Sequence, residues 1–163
     1  MNKTPTAKQV FSNPIHFLAF GFGSGLAPIA PGTFGTLAGI PIYVLMSHLS
    51  VPIYCGILIL LCVLGVYVAG KSSRLLGVHD HGGIVIDEIV GFLLTMVVAP
   101  EGWTWIFAGF FLFRLFDILK PWPINALDRE LSGGLGIVVD DLMAGIYSGL
   151  SLLLIEWLLN QFS

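Results

Sequence analysis

Charged side chains are scarce in this sequence: Asp, Glu, Lys and Arg together make up 10% of its 163 residues. Soluble domains carry about 25% charged residues, so a domain that folds in water is not expected. The net charge is only −3, and the few basic residues form no patch. A nucleic-acid partner is therefore not expected either, because such partners are bound through clustered Lys and Arg.

Cysteine is scarcer still. The two cysteines, Cys55 and Cys62, lie in one uncharged run, where apolar packing is the expected role and a disulfide is not. No cleavable signal peptide is expected, because the first 13 residues are polar and the apolar run that follows is broken by Gly and Pro.

Apolar residues are abundant, at 56% of the chain, with a mean hydropathy of +0.91. Residues 51–70 contain no charge, and at about 1.5 Å per residue they can cross a hydrocarbon core of about 30 Å. The pattern of apolar runs predicts an all-α, polytopic membrane bundle with about five spanning helices. These helices are expected at residues 33–49, 51–70, 84–99, 103–119 and 137–159.

The N-terminal part is expected to differ from these spans. Residues 1–13 are polar and predict a cytoplasmic tail, and residues 14–163 predict a single membrane-embedded domain. Residues 14–32 are apolar but rich in Gly and Pro. Such a segment favours a re-entrant or interfacial structure sheltered by other helices. Thr33 stands where the N-cap of the first span is expected.

Five spans place the tail and the loops 71–83 and 120–136 on one side of the membrane. All seven basic residues fall on or near that side: Lys3, Lys8, Lys71, Arg74, Arg114, Lys120 and Arg129. The positive-inside rule makes it the cytoplasmic side. Seven carboxylates come to the same face: Asp80, Asp87, Glu88, Asp117, Asp128, Asp140 and Asp141.

One stretch, residues 114–123, links these charges. Arg114, Asp117 and Lys120 recur every three residues, which predicts a stripe on one side of an apolar helix that Pro121 and Pro123 end. Acids in the first turn of a helix are favoured by its dipole, which explains Asp87, Glu88, Asp140 and Asp141 as simple helix ends. It does not explain Asp117 near a helix C-terminus, so a shared polar site is the favoured interpretation.

Clustered carboxylates need cations, and hard oxygen ligands suit magnesium. Adjacent acids on a helix point about 100° apart, so one of each pair need not touch the metal. Arg114, Lys120 and Arg129 can take phosphate charge, although an Arg114–Asp117 pair and interfacial anchoring are the simpler alternatives. Helix N–H groups at Thr33 can bind a phosphate, and His79 beside Asp80 indicates proton transfer.

The residues alone therefore predict a membrane site for a phosphate and a hard cation. Two functions fit such a site. One is an enzyme acting on a phosphate ester, and the other is a small cation- or proton-coupled transporter that uses the same carboxylates as its ion path.

The assembled motifs resemble those of the phosphatidylglycerophosphatase A family. The resemblance spans roughly residues 13–149. Its blocks are Gly21–Gly25 with Pro31–Thr33, Val78–Gly82 with Asp87–Gly91, Phe113–Asp117 with Lys120–Pro123, Asp128–Arg129, and Gly134–Ile137 with Asp140–Gly145. It implies a magnesium-dependent phosphoric monoester hydrolase of the bacterial inner membrane. Such an enzyme hydrolyses the terminal phosphomonoester of phosphatidylglycerophosphate, a phospholipid taken from the bilayer, to phosphatidylglycerol in phospholipid biosynthesis.

Roles for individual residues are hypotheses under that resemblance. The metal ligands are expected to be Asp87, Glu88, Asp140 and Asp141. The catalytic residues are expected to be Arg114, Asp117, His79 and Asp80, with Asp117 orienting Arg114 or acting as base or nucleophile. Substrate is expected to be bound by Thr33, Lys120, Asp128 and Arg129, on the cytoplasmic face.

Overall fold

The structure is a computed structural model that describes residues 5–78, 81–126 and 131–161. The regular elements in these ranges are helices, as the sequence predicts. The main ones are α1 (Ala7–Ser12), α2 (Pro14–Ala19), α3 (Pro31–Met46), α4 (Val51–Leu76), α5 (Ile86–Thr95), α6 (Trp103–Leu119) and α7 (Gly133–Gln161). Short 3₁₀ helices follow α2 at Gly21–Leu26 and α5 at Met96–Val98.

The N-terminal region is built from short pieces, in agreement with its many helix breakers. Helices α1 and α2 have six residues each, and the 3₁₀ helix after them kinks at Phe22 and Gly23. The region is tied to α4 by a hydrogen bond of 2.8 Å between His16 Nδ1 and Ser72 Oγ. Burial lowers the pKa of the His16 imidazole, which favours the neutral ring in this contact.

Helix α3 begins two residues earlier than predicted. Its N-cap is Ala30, in the left-handed region with φ 49°, and Pro31 is its first residue. Proline is favoured there because its φ is already helical and its missing N–H would have no partner inside the helix. Thr33 is therefore a residue of the first turn, and the predicted N-cap role of Thr33 is wrong.

Helix α4 is longer than predicted. The sequence suggested an end near Gly70, but the helix continues to Leu76 and ends at Gly77, which adopts φ 69°. The added turn contains Ser72 and Ser73, which are buried and make hydrogen bonds to His16 and to the Val78 carbonyl. Polar residues do not stop a helix when their side chains find partners, and the predicted loop 71–83 is shorter for that reason.

Two helices are long and apolar enough to cross a membrane. They are α4 and α7, whose most apolar 18-residue windows have mean hydropathies of 2.5 and 1.7. Only 22% and 28% of these windows are buried inside the protein, so their apolar side chains face outward, as in a helix that contacts lipid. Helix α3, with 16 residues, and α5, with ten, are shorter. The predicted all-helical fold is therefore confirmed. Of the five predicted spans, two correspond to helices of spanning length among the described residues.

Helix α5 forms the centre of the fold, in contact with α3, α4, α6 and α7. Eight of its ten residues are buried. Its closest neighbour is α7: a methyl group on Gly91 would lie 2.7 Å from the Asp141 carbonyl oxygen, and one on Gly145 would lie 2.6 Å from the Gly91 carbonyl oxygen. Helices approach this closely only through glycine. The contact fixes the height and rotation of α5 against α7. It therefore also fixes the relative positions of Asp87 and Asp141, which lie one turn before Gly91 and Gly145.

Candidate active site

Three carboxylates meet where α5 and α7 are closest. Asp87 and Glu88 stand in the first turn of α5, and Asp141 stands one turn before Gly145 on α7. One oxygen from each lies within 4.8 Å of the others. Asp87 and Asp141 are buried, at 9% and 2% exposure. We call Asp87, Glu88 and Asp141 the carboxylate cluster.

The cluster has the chemistry of a cation site. Glu88 Oε2 and Asp141 Oδ2 are buried and accept no hydrogen bond from any residue that the structure describes. Buried carboxylate oxygens without a donor are costly, and like charges this close repel each other. A hard divalent cation removes both penalties, since Mg²⁺ binds through a few carboxylate oxygens and retains waters for the remaining positions. The donor set therefore fits the metal that the sequence predicts.

The fourth predicted metal ligand lies differently. Asp140 is buried, and its Oδ2 accepts a hydrogen bond of 2.6 Å from Lys120 Nζ. Lys120 is the C-cap of α6, with φ 42° in the left-handed region. It therefore leaves the helical stripe that the sequence predicts and joins α6 to α7.

The rest of the stripe stays on α6. Arg114 Nη1 donates to Asp117 Oδ2 at 2.5 Å and lies 3.8 Å from Glu88 Oε1. Both contacts are largely buried, with side-chain exposures of 13–15%. The guanidinium thus bridges α6 and α5, and its Nε is buried without a hydrogen-bond partner among the described residues.

A cavity of about 150 Å³ brings these groups together. Six predicted site residues line it: Asp87, Glu88, Asp117, Lys120, Asp140 and Asp141. The other lining residues are Gly82, Ile84, Leu131, Gly136 and Ile137. Arg114 is absent from this lining and stands behind Glu88 and Asp117. On the order of a few waters fit such a volume, so it suits a phosphate-sized group with a metal ion and not a whole lipid.

The start of α3 closes one side of the site. A methyl group on Gly32 would meet Glu88 Oε1 and lie 3.0 Å from Arg114 Nη1. Thr33, predicted to present its N–H to a phosphate, instead donates that N–H to the Ala30 carbonyl at 2.9 Å. Gly32 is thus the residue of this segment that the sequence analysis missed. The sequence Pro-Gly-Thr at a helix start indicated that this glycine has a role. Residue spacing alone does not show that the glycine makes room for Glu88 and Arg114.

Four predicted site residues lie outside the described ranges: His79, Asp80, Asp128 and Arg129. Their described neighbour His81 accepts a hydrogen bond of 3.0 Å at Nδ1 from the Gly83 N–H, and its ring packs against Phe20. His81 therefore shapes the loop that leads into α5. The adjacent Gly82 lines the cavity.

Comparison with known proteins gives a consistent result. The family model described as phosphatidylglycerophosphatase A matches residues 17–156. A protein of Escherichia coli (strain K12) named phosphatidylglycerophosphatase A is 49% identical over 138 residues, which are 84% of this chain and 80% of that protein. A Haemophilus influenzae protein of the same name is 47% identical over 158 residues, 95% of this chain and 97% of that protein.

A third relative, from Bacteroides thetaiotaomicron, is 33% identical over 148 residues, 86% of this chain and 92% of that protein. It is provisionally named a phosphatidylinositol-3-phosphatase. No solved structure matches this chain.

Proposed function

This chain belongs to the phosphatidylglycerophosphatase A family, and we propose that it hydrolyses the terminal phosphomonoester of phosphatidylglycerophosphate to give phosphatidylglycerol. Membership makes it a phosphoric monoester hydrolase of phospholipid biosynthesis, and the relatives give no support to the transporter alternative. The structural observation that carries the proposal is that the carboxylate cluster, Asp117 and Lys120 line one and the same cavity.

We assign the metal to the carboxylate cluster. Asp87, Glu88 and Asp141 would hold a magnesium ion through one oxygen each. When bound there, the ion would polarise a phosphoryl oxygen and neutralise negative charge as the transition state forms. Asp140 lines the same cavity, and its assigned role is to orient the Lys120 ammonium.

Among the described residues, Lys120 is the cation that lines the cavity. We propose that its ammonium binds the terminal phosphate of the substrate and neutralises part of its negative charge. Its ammonium has 31% side-chain exposure and its partner Asp140 has 9%. A phosphate entering the cavity would share this ammonium with the carboxylate. A cation aimed at the phosphoryl oxygens stabilises the charge that develops on them during transfer.

Asp117 and Arg114 are proposed to act as a pair. Because Asp117 lines the cavity and Arg114 stands behind it, the geometry favours Arg114 orienting Asp117, and not the reverse. Asp117 would accept a proton from the attacking water as a P–O bond to water forms. The P–O bond to glycerol breaks, and the leaving oxygen takes a proton. His79 and Asp80 remain the proposed source of that proton.

We propose that the protein lies in the bacterial inner membrane, as a multi-pass protein with this cavity at the cytoplasmic face. The two apolar helices support membrane association. The orientation is supported by the sequence, in which the basic residues fall in or beside the N-terminal tail and the predicted loops 71–83 and 120–136, and none lies near Glu101.

Phosphate release tests the function directly. The purified protein in detergent is given phosphatidylglycerophosphate or phosphatidylglycerol, with magnesium or with a chelator. We expect release from the first lipid only, and loss of release with the chelator. Equal release from both lipids, or none from either, would contradict the proposed reaction. Phosphate release that persists in the chelator would agree with the proposed hydrolysis but would contradict its dependence on magnesium.

A further inference from the structure

An apolar groove runs along the outside of the protein beside the polar cavity. It lies between the end of α6 and the middle of α7, with a volume of about 340 Å³. Its lining residues are Phe116, Pro121, Trp122, Tyr147, Leu150, Ser151 and Leu154. Leu150 and Leu154 are more than half exposed, and Trp122 is 81% exposed. We call this the α6–α7 groove.

The groove and the cavity share one piece of backbone. Phe116 lines the groove and the next residue, Asp117, lines the cavity. Lys120 lines the cavity and the next residue, Pro121, lines the groove. The end of α6 is therefore a partition with a phosphate-binding surface on one side and an apolar channel on the other.

The partition is held in place by specific contacts. The Tyr147 hydroxyl donates to the Trp122 carbonyl at 3.1 Å, the Phe116 and Tyr147 rings pack 5.6 Å apart, and Lys120 is tied to Asp140. These contacts connect α6 and the segment after it to α7 on both sides of the partition. The same contacts therefore set the position of the groove relative to the cavity.

We propose that the α6–α7 groove holds one acyl chain of the phospholipid substrate while its terminal phosphate occupies the cavity. The inference rests on the proposed function. An amphiphile with a phosphate at one end and a hydrocarbon chain at the other matches the order of surfaces across the partition. A phosphate ester without a chain would use the cavity and leave the groove aside.

The groove acts by positioning. A chain that leaves the bilayer for the groove exchanges one apolar environment for another, so little hydrophobic free energy is gained. The gain comes from packing against the walls of the groove and from limiting the orientations of the headgroup. Filling the groove should therefore weaken substrate binding while leaving the reacting groups in place.

A pair of substitutions on α7 tests this. Leu150→Trp fills the groove, and Leu153→Trp places the same bulk on a neighbouring exposed leucine, outside the groove lining. Phosphate release from dioleoyl phosphatidylglycerophosphate in mixed micelles gives KM and kcat for both variants. We expect KM to rise about 5–10-fold in Leu150→Trp with kcat within about 2-fold of the wild type, and both values to stay near the wild type in Leu153→Trp. Equal KM values in the two variants would overturn the proposal.

Photolabelling separates a substrate chain from an ordinary bilayer lipid. The probe is phosphatidylglycerophosphate with a diazirine in the middle of one acyl chain, and labelled peptides are mapped by mass spectrometry. We expect labelling at residues 147–154 that excess unlabelled phosphatidylglycerophosphate removes and excess phosphatidylcholine does not. Labelling that both lipids remove equally would show a general lipid contact and refute the assignment. If the wild-type protein releases no phosphate in the same micelles, the proposed function itself fails.

Discussion

Lys120 and Asp140 form an ion pair with 2.6 Å between the ammonium nitrogen and a carboxylate oxygen, although twenty positions separate them in the chain. The pair joins the end of α6 to α7 at the wall of the cavity. The sequence predicts Lys120 on a helical stripe with Arg114 and Asp117. In the structure Lys120 instead faces Asp140 on α7.

The first prediction concerns this pair. Lys120→Met and Asp140→Asn should each lower kcat/KM about 10-fold or more, because each removes the hydrogen-bonded ion pair that positions the ammonium at the wall of the cavity. The double variant should lose less than the product of the two single effects, since the two residues act as one unit. Phosphate-release kinetics on the three variants measure the coupling. Strictly multiplicative losses would show that the residues act separately.

A matched control is available on α4. Lys71 also makes a polar contact, to the Tyr67 hydroxyl at 3.1 Å, but on an exposed surface outside the cavity. Lys71→Met should keep kcat/KM near the wild-type value.

The second prediction concerns Arg114, which contacts Asp117 and Glu88 at once. Arg114→Lys should lower kcat about 100-fold, because a single ammonium cannot hold two carboxylates in a fixed geometry as a planar guanidinium does. Substrate binding should change less than turnover. Wild-type kcat in this variant would contradict the role assigned to the Arg114–Asp117 pair. Arg74→Lys is the control, since Arg74 donates to a carbonyl of its own helix, at Gly70.

The third prediction concerns the carboxylate cluster. Asp141→Asn removes one charge from three converging acids, so the magnesium concentration for half-maximal activity should rise about 10-fold or more, with activity partly restored at high magnesium. Asp117→Asn should lose activity that magnesium does not restore, because Asp117 is assigned a role in proton transfer. Glu156→Gln is the control. It changes an acid on α7, the helix of Asp141, but far from the cavity, so its activity should depend on magnesium concentration as that of the wild type does.

A magnesium titration of phosphate release measures all three variants. An unchanged midpoint in Asp141→Asn would remove Asp141 from the metal site. If high magnesium restored the activity of Asp117→Asn, Asp117 would have to be assigned to the metal site.

The fourth prediction concerns the contact between α5 and α7. Gly91→Ala should destabilise the protein by about 1–3 kcal/mol, because the added methyl group meets the Asp141 carbonyl and the Phe113 ring. It should also lower activity by separating Asp87 and Glu88 from Asp141. Gly56→Ala is the control: nothing lies within 4 Å of its added methyl group, so helix propensity predicts a gain of about 0.5–1 kcal/mol. Melting curves in detergent compare the two, and equal melting temperatures would contradict the close packing.

The fifth prediction concerns orientation in the membrane. In a variant in which Cys55 and Cys62 are replaced by alanine, a cysteine at Gly82 should be shielded from an impermeant thiol reagent in intact cells. A cysteine at Glu101 should react. Both positions are exposed on the protein, so the difference reports the membrane. The opposite pattern of labelling would place the cavity on the outer face.

The sequence by itself determined the features that depend on local chemistry. Long apolar runs predicted helices, and the bounds predicted for α6, residues 103–119, agree with the structure. Breakers between residues 14 and 32 predicted short pieces, because Gly and Pro act on the backbone where they stand. The spacing of the motifs was also enough to identify the family, and an acid near the end of an apolar helix, Asp117, indicated a shared polar site.

Only the tertiary structure decided which of these residues meet. It placed Asp141 beside Asp87 and Glu88 and turned Asp140 toward Lys120. Adjacent residues on a helix differ by about 100° in direction, so the choice depends on the rotation of α7, which the glycine contact with α5 fixes. It also brought Gly32 against Glu88 and Arg114. Such contacts join residues far apart in the chain, and they depend on how whole helices pack, which residue spacing does not specify.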